Sequence, residues 1–221
     1  MVKLLSLNAQ SELYRIAQAT TRSVVEWLLK GEVAGRHHIP KKGSFLIASN
    51  HLSYLDPPAI GCLLERPIYY FARDTLFKPG FADWLLRSLN SIPVKRDADS
   101  DVKAMREILK LLKSQGEGLL FFPEGTRSMD GKLQKAKPGI GMIACKTCVP
   151  VIPVRLYGTD HAWGKGQKTL NLRTNVSIHI GAPLYPQDYD PNPKEENRYQ
   201  AASNRIMAAI AALPPVKAPN L

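Results

Sequence analysis

Short apolar runs alternate with longer amphipathic runs along most of the chain, and this alternation limits the folds open to it. Six apolar runs predict β-strands at 45–49, 67–71, 91–94, 119–122, 149–156 and 175–180. Helices are predicted at 57–64, 77–89, 140–146 and 194–212, and from Ser100 as N-cap to just before Gly116. Strands separated by helices are typical of layered α/β folds. We therefore predict a single α/β domain whose central, mostly parallel or mixed sheet is flanked by helices.

The first part of the chain predicts an additional amphipathic helix within residues 10–30. Its apolar positions recur at helical spacing and are Leu13, Ile16, Ala17, Thr20, Val24, Trp27 and Leu28. Such a helix either docks on the core or lies in a membrane interface, with Trp27 at the level of the lipid headgroups. We therefore divide the chain into this N-terminal helical segment, residues 1–34, and a main domain, residues 35–221.

Charge and cysteine content narrow the class of protein. The 221 residues carry 30 Lys and Arg against 19 Asp and Glu, a net charge of +11 that is spread without a terminal basic arm. This excess suits a polyanionic partner or an anionic membrane surface, and its even spread does not favour nucleic acid. Three cysteines are too few for a disulfide framework or a four-cysteine zinc site. No run reaches the roughly 20 apolar residues of a membrane-spanning helix, so we expect peripheral attachment.

Two loops that follow predicted strands contain residue types suited to catalysis. The first loop is Asn50-His51-Leu52-Ser53-Tyr54-Leu55-Asp56, directly after the strand at 45–49. His51 can act as a general base there when a carboxylate such as Asp56 holds its other ring nitrogen. An isolated pair of this kind also has a simpler interpretation, with Asp56 as a helix N-cap and His51 as an ordinary loop histidine.

The second loop is Phe122-Pro123-Glu124-Gly125-Thr126-Arg127-Ser128, after the strand at 119–122. A flexible glycine among a carboxylate, a hydroxyl and a guanidinium suits the binding of a phosphorylated ligand. The carboxylate can accept a hydrogen bond from a hydroxyl, and the guanidinium fork matches the geometry of phosphate. Taken alone, the same residues also fit a tight turn closed by an ion pair between Glu124 and Arg127.

Together, in this order and spacing, the two loops resemble sequence blocks of the glycerolipid acyltransferase family, and most closely those of the 1-acyl-sn-glycerol-3-phosphate acyltransferases. The resemblance extends from Gly35 to about Pro183. It implies that His51 is the catalytic base and that Asp56 is its partner. It also implies that Arg96, which follows the predicted strand at 91–94, contacts the phosphate of the acceptor.

The resemblance implies roles for the later blocks as well. Residues 122–128 match the block that binds the acceptor, and this assigns acceptor binding to Glu124, Gly125, Thr126 and Arg127. The resemblance also assigns acceptor binding to Lys137, which follows that block, although Ala136 stands where the family commonly has an aromatic residue. The segment 149–154 is similar to the block that is usually assigned to the acyl donor.

The resemblance implies transfer of an acyl group from an acyl thioester to the sn-2 hydroxyl of lysophosphatidate, giving phosphatidate. The expected partners are a lysophospholipid, acyl-CoA or acyl carrier protein, and the cytoplasmic face of a membrane; no metal or other cofactor is expected. Two alternatives stay open. The acceptor is glycerol-3-phosphate or another lysolipid, or the chain is a non-catalytic basic module that binds anionic lipid or nucleic acid.

Overall fold

A computed structural model of the chain describes residues 7–28, 31–94, 98–114, 116–164, 166–171 and 174–216. Within them, seven strands form one sheet: β1 (Glu32–Ala34), β2 (Phe45–Ser49), β3 (Ile68–Arg73), β4 (Ser91–Val94), β5 (Gly118–Phe121), β6 (Val151–Tyr157) and β7 (Ser177–Ile180). Their order across the sheet is β1-β7-β6-β2-β5-β3-β4. All neighbours are parallel except β6 and β7, which are antiparallel. The predicted α/β fold with a mostly parallel, mixed sheet is confirmed.

Helices connect these strands and cover both faces of the sheet. They are α1 (Leu7–Ser23), α2 (Asp56–Gly61), α3 (Phe81–Ser88), α4 (Ala98–Ser114), α5 (Gly139–Thr147), α6 (Thr159–Trp163), α7 (Pro186–Tyr189) and α8 (Arg198–Ala211). A π-helical turn, Val24–Leu28, continues α1, and short 3₁₀ turns occupy Arg36–His38 and Asp74–Leu76.

The central strand β2 is buried along its whole length because apolar layers cover both of its faces. Phe45 and Ile47 belong to the core on the side of α2, whereas Leu46 and Ala48 belong to the core beneath α4, α5 and α8. Helices α5 and α8 approach so closely that a Cβ atom at Gly141 would lie 2.0 Å from the Tyr199 carbonyl oxygen. The continuous apolar run at 45–49 thus reflects burial on two sides.

Helix α1 docks on the core through a face offset by about one position from the predicted apolar stripe, of which Val24 still packs against the core. Tyr14 is buried and its hydroxyl lies 2.8 Å from the Tyr70 hydroxyl, while Gln18 Nε2 donates to the carbonyl oxygens at the end of α2. Val25, in the π-helical turn, is buried in the core, but Ile16 is exposed. The position of the predicted stripe was wrong because the docked face is held partly by hydrogen bonds. A pattern of apolar residues does not reveal such bonds.

Several predicted boundaries were wrong, and three short elements were not predicted. Ser100 lies inside α4, which begins at Ala98, so the structure does not support an N-cap at Ser100. Helix α3 begins only at Phe81, because Gly80 has a φ of 113° that is incompatible with helix. The unpredicted elements β1, α6 and α7 have three to five residues each, too few to show a periodicity. Strand β1 pairs with β7, and the predicted division of the chain at residue 34 stays a prediction.

Candidate active site

The two predicted loops lie side by side because the strands before them are neighbours. Strands β2 and β5 are parallel and hydrogen-bonded, so the chain leaves both at the same edge of the sheet. The backbone amide of Ser128 then donates to the carbonyl oxygen of His51 at 2.8 Å, which joins the end of the second loop to the first. The structure thus brings the residues of both loops to one site.

Within the first loop, His51 and Asp56 form a direct hydrogen bond. His51 Nδ1 lies 2.8 Å from Asp56 Oδ2. The same carboxylate oxygen accepts from the backbone amides of Leu52 at 2.6 Å and Ser53 at 2.8 Å. Asp56 is completely buried at the start of α2. Its hydrogen bonds to two backbone amides restrict the movement of its carboxylate. The carboxylate therefore fixes the imidazole, and it also binds the amides of the turn.

The His51 ring is further oriented by Phe122 from the second loop. The two rings stack with their centroids 4.0 Å apart and their planes within 14°. The His51 side chain is 19% exposed. Among the described residues Nε2 has no hydrogen-bond partner, and the bond to Asp56 favours the tautomer that carries its proton on Nδ1. That tautomer leaves a lone pair on Nε2, as a general base requires.

Two other polar side chains of the first loop are bound to the backbone of β6 and α6. Asn50 is buried and pairs with the backbone of Leu156, donating at 3.0 Å and accepting at 2.8 Å. Ser53 Oγ donates to the carbonyl oxygen of Trp163 at 2.6 Å. The sequence analysis gave neither residue a role, although a polar residue on each side of His51 was visible in the pattern.

In the second loop, Glu124 is buried and its charge is compensated only in part. It is 2% exposed, and neither carboxyl oxygen has a hydrogen-bond partner of good geometry among the described residues. Burial raises the pKa of Glu124 to about 7. The backbone amides of Gln134 and His51 and the positive charge of Arg155 oppose this rise only in part.

In the part of the chain that the structure describes, Arg127 is held by an aromatic ring and not by a carboxylate. Its guanidinium carbon lies 3.5 Å from the centroid of the Tyr54 ring. Nη1 is buried without a hydrogen-bond partner, and no ion pair to Arg127 is found among the described residues. The alternative of a turn closed by an ion pair between Glu124 and Arg127 is therefore wrong.

Gly125 and Lys137 come together at the outer side of this loop. Gly125 is exposed with a φ of 70°, a left-handed conformation that favours glycine. The side chain of Lys137 passes 3.2–3.3 Å from the point where a Cβ at Gly125 would lie, and the Lys137 amide donates to Pro123 at 2.8 Å. Thr126 is half-buried between Gly125 and Arg127. Arg96, the remaining predicted binding residue, lies outside the described residues.

Arg155 is a charged residue near this site that the sequence analysis missed. It lies on β6, and both Nε and Nη1 are buried without a hydrogen-bond partner among the described residues. Its guanidinium carbon lies 5.0 Å from the Tyr157 ring centroid, and its charge lowers the pKa of Glu124. A lone cation within the apolar strand VIPVRLY was the available signal, since such a residue is rarely buried without a partner.

Comparison with known proteins adds independent information. Residues 30–157 match the family model described as Acyltransferase. The chloroplastic 1-acyl-sn-glycerol-3-phosphate acyltransferases of Brassica napus and Arabidopsis thaliana are each 31% identical over 163 residues, which is 73% of this chain and 47% and 45% of those proteins. The chain therefore spans about half the length of these relatives.

A solved structure is similar over most of the chain. It is the crystal structure of the 1-acyl-sn-glycerophosphate acyltransferase PlsC from Thermotoga maritima, which is 29% identical in sequence with a TM-score of 0.74. The similarity covers 92% of this chain and 79% of that chain. The α/β architecture described above is thus the architecture of that protein.

Proposed function

The chain belongs to the acyltransferase family, and on that premise we propose that it transfers an acyl group from an acyl thioester to the sn-2 hydroxyl of lysophosphatidate, giving phosphatidate. The observation that carries the proposal is the 2.8 Å bond between His51 Nδ1 and Asp56 Oδ2, which leaves Nε2 available beside the second loop. The names of the Brassica and Thermotoga proteins support lysophosphatidate as the acceptor.

In the proposed mechanism His51 accepts the proton of the acceptor hydroxyl. The hydroxyl oxygen forms a bond to the thioester carbonyl carbon, the carbon–sulfur bond breaks, and the proton passes from His51 to the departing thiolate. Asp56 stabilises the imidazolium in between, because its buried charge already lies against Nδ1. Stacking on Phe122 keeps the ring in one plane during both proton transfers.

The second loop then binds the acceptor. Arg127 offers a guanidinium without a carboxylate partner, which suits a phosphate group, and Lys137 adds a second positive charge next to Gly125. Glu124 has carboxyl oxygens that can accept from a glycerol hydroxyl. A pKa of about 7 means that this carboxyl exchanges its proton near neutral pH. Arg96 is proposed as a further phosphate ligand from its position in the sequence alone.

The acyl donor is acyl-CoA or acyl carrier protein, and no further cofactor enters the proposal. A net charge of +11 favours either donor, because coenzyme A carries phosphates and a carrier protein of acidic character would be attracted in the same way. The proline-bearing segment 149–154, most of which is β6, is proposed to face the donor.

We further propose peripheral attachment at the cytoplasmic face of a membrane. Exposed apolar side chains on and near α1 and α3 support it, namely Ile16, Leu76, Phe81 and Trp84. In the described residues no helix is long and apolar enough to cross a bilayer. Binding to vesicles should rise with anionic lipid and fall with salt. Equal binding to neutral and anionic vesicles at low salt would contradict electrostatic attachment.

The experiment that tests the function follows both products of one reaction. Purified protein is mixed with lysophosphatidate and either acyl-CoA or acyl carrier protein loaded with the same acyl chain. Thiol release is measured spectroscopically, and the lipid is identified by mass spectrometry. We expect one thiol for each phosphatidate formed. A binding module would release no thiol, and preferential product formation from glycerol-3-phosphate or another lysolipid in a parallel panel would replace the proposed acceptor.

A further inference from the structure

Tyr54 is the residue of the first loop whose placement the proposed mechanism does not explain. Its side chain is 50% exposed, and its hydroxyl has no hydrogen-bond partner among the described residues. Its ring nevertheless contacts two side chains that are distant in sequence. The ring centroid lies 3.5 Å from the guanidinium carbon of Arg127 and 5.6 Å from the ring centroid of Trp163. An aromatic ring left half in water and in contact with a cation calls for a reason other than core packing.

The distance to Arg127 defines how the guanidinium is oriented. At 3.5 Å between the guanidinium carbon and the ring centroid, the two planar groups must lie face to face, because an N–H pointing into the ring would hold the carbon farther away. Face-to-face contact leaves the N–H groups pointing outward in the guanidinium plane. Among the described residues nothing occupies the guanidinium fork, although the ring holds the cation in place.

The Tyr54 ring is itself fixed by its surroundings. Ser53, the preceding residue, is fully buried and donates to the carbonyl oxygen of Trp163. The Leu55 amide on the other side donates to Ser53 Oγ at 3.0 Å. Trp163 also packs against the Tyr54 ring. The ring is thus a rigid surface, built by the loop that carries His51, on which a residue of the other loop rests.

We propose that Tyr54 is a positioning residue that orients Arg127 toward the phosphate of the acceptor. A carboxylate in the same place would occupy the guanidinium fork and compete with the phosphate, whereas a ring immobilises the guanidinium without using its hydrogen-bond donors. Tyr54 then links the catalytic loop to the recognition of the acceptor headgroup. This inference rests on the proposed function, because it assumes that Arg127 binds the acceptor.

The test compares variants that keep or lose the ring. Tyr54→Leu should raise the KM for lysophosphatidate about 2- to 30-fold, the range that corresponds to the loss of one cation–π contact. The KM for the acyl donor and kcat at saturating acceptor should stay within about 2-fold of wild type. Tyr54→Phe keeps the ring and should retain the wild-type KM. An equally large effect of Tyr54→Phe would overturn the inference, since the hydroxyl would then be the important group.

Tyr185 provides a matched control. It is 49% exposed, and it lies beside Leu184, which pairs with the first residue of β6, at the edge of the sheet opposite the site. Tyr185→Leu should leave the acceptor KM unchanged. Melting curves of all variants separate loss of folding from loss of binding, and a second variant, Tyr54→Met, replaces Tyr54→Leu if the latter does not fold.

A double-mutant cycle separates failure of this inference from failure of the proposed function. In an Arg127→Ala background, Tyr54→Leu should have no further effect on the acceptor KM, because the residue that it orients is gone. Equal effects of Tyr54→Leu in both backgrounds would overturn the positioning role. If Arg127→Ala itself leaves the acceptor KM unchanged, the proposed acceptor site fails. If Arg127→Ala raises it and Tyr54→Leu does not, only the present inference fails.

Discussion

The loop after β2 and the loop after β5 differ in how their polar groups are satisfied. In the first, Asn50, Ser53 and Asp56 are buried and hydrogen-bonded within the protein. In the second, both carboxyl oxygens of Glu124 and a nitrogen of Arg127 are buried without a partner among the described residues, whereas in the first only Asp56 Oδ1 is in that state and Asp56 Oδ2 is bound by three groups. Buried polar groups are normally paired, and the second loop departs further from that rule than the first. The proposed function accounts for the difference, because it assigns proton transfer to the first loop and acceptor binding to the second.

This contrast also predicts where stability and function conflict. The first loop gains from its own hydrogen bonds, so substitutions there should damage kcat and, at the buried positions, folding. The second loop holds unpaired groups at a cost to folding, and in the proposed function the bound acceptor supplies their partners. Substitutions there should weaken acceptor binding and leave stability unchanged or higher. The following predictions test the contrast, beginning with the largest effect.

The largest effect is expected at His51, the proposed general base in the first loop. His51→Ala should lower kcat by about 10²–10⁴-fold or more, because it removes general-base catalysis, while the melting temperature changes little. Steady-state kinetics of acyl transfer and thermal melting measure the two quantities. His37, which is exposed in the turn Arg36–His38, is the control, and His37→Ala should retain full activity. Wild-type activity in His51→Ala would remove the proposed mechanism.

A second prediction concerns the pH dependence of stability that Glu124 causes. Its pKa is raised from 4.5 to about 7 in the folded protein, so the folded state holds the proton more tightly than the unfolded state. The contribution of the protonated Glu124 carboxyl to the free energy of unfolding is fully present below about pH 4.5. It is lost as the pH rises through 7. Glu124→Gln should therefore lie within about 1 kcal/mol of wild type at pH 5 and exceed it by about 3 kcal/mol in free energy of unfolding at pH 8.

Denaturant unfolding at the two pH values checks this prediction. Glu65→Gln is the control, because Glu65 is exposed and pairs only with the exposed Lys41. The control should show no comparable gain at pH 8. Glu124→Gln should also raise the KM for the acceptor, so that stability is gained where binding is lost. A variant less stable than wild type at pH 8 would mean that Glu124 is ionised and well paired in the folded protein.

The smallest of the three effects is expected at Arg127. A guanidinium that binds a phosphate contributes about 1.5–3 kcal/mol, so Arg127→Ala should lower kcat/KM for the acceptor about 10- to 150-fold. The KM for the donor should scarcely change. Arg127→Lys should recover only part of the loss, because an ammonium group keeps the charge without the planar fork. Steady-state kinetics with each substrate varied in turn measure kcat/KM for the acceptor and KM for the donor. A larger change in the donor KM would mean that Arg127 binds the donor and not the acceptor.

The parts of the fold that could be predicted from sequence are those with a local signal. The run Phe45–Ser49 is apolar at every position except the last, and Ser91–Val94 also has the predicted bounds. Helix α4 has a periodic apolar face, although its start was predicted three residues late. The docked face of α1 could not be predicted, because Tyr14 and Gln18 are bound by groups that come from elsewhere in the chain.

The features of the site also separate into those with a local sequence signal and those that depend on the folded chain. The spacing of His51 and Asp56 allowed their hydrogen bond but also fitted a helix N-cap, and it was the family resemblance that implied the pairing found in the structure. The contact of Tyr54 with Arg127, and the position of Arg155 near Glu124, depend on which strands become neighbours in the sheet. Residue types alone do not contain that information, and the unpaired state of Glu124 is visible only once the surrounding atoms are placed.

The hydrogen bond from the Ser128 amide to the His51 carbonyl oxygen makes the two loops thermodynamically interdependent. If a bound acceptor holds the second loop in one arrangement, it also holds the backbone of His51, and the coupling free energy acts equally in the reverse direction. A substitution that frees the His51 backbone should weaken equilibrium binding of the acceptor by the same factor by which the acceptor orders that backbone. The hydrogen-bond donor is the main-chain N–H of residue 128, which every amino acid except proline has. Substitution of the Ser128 side chain should therefore preserve this coupling, and Ser128→Pro should remove it.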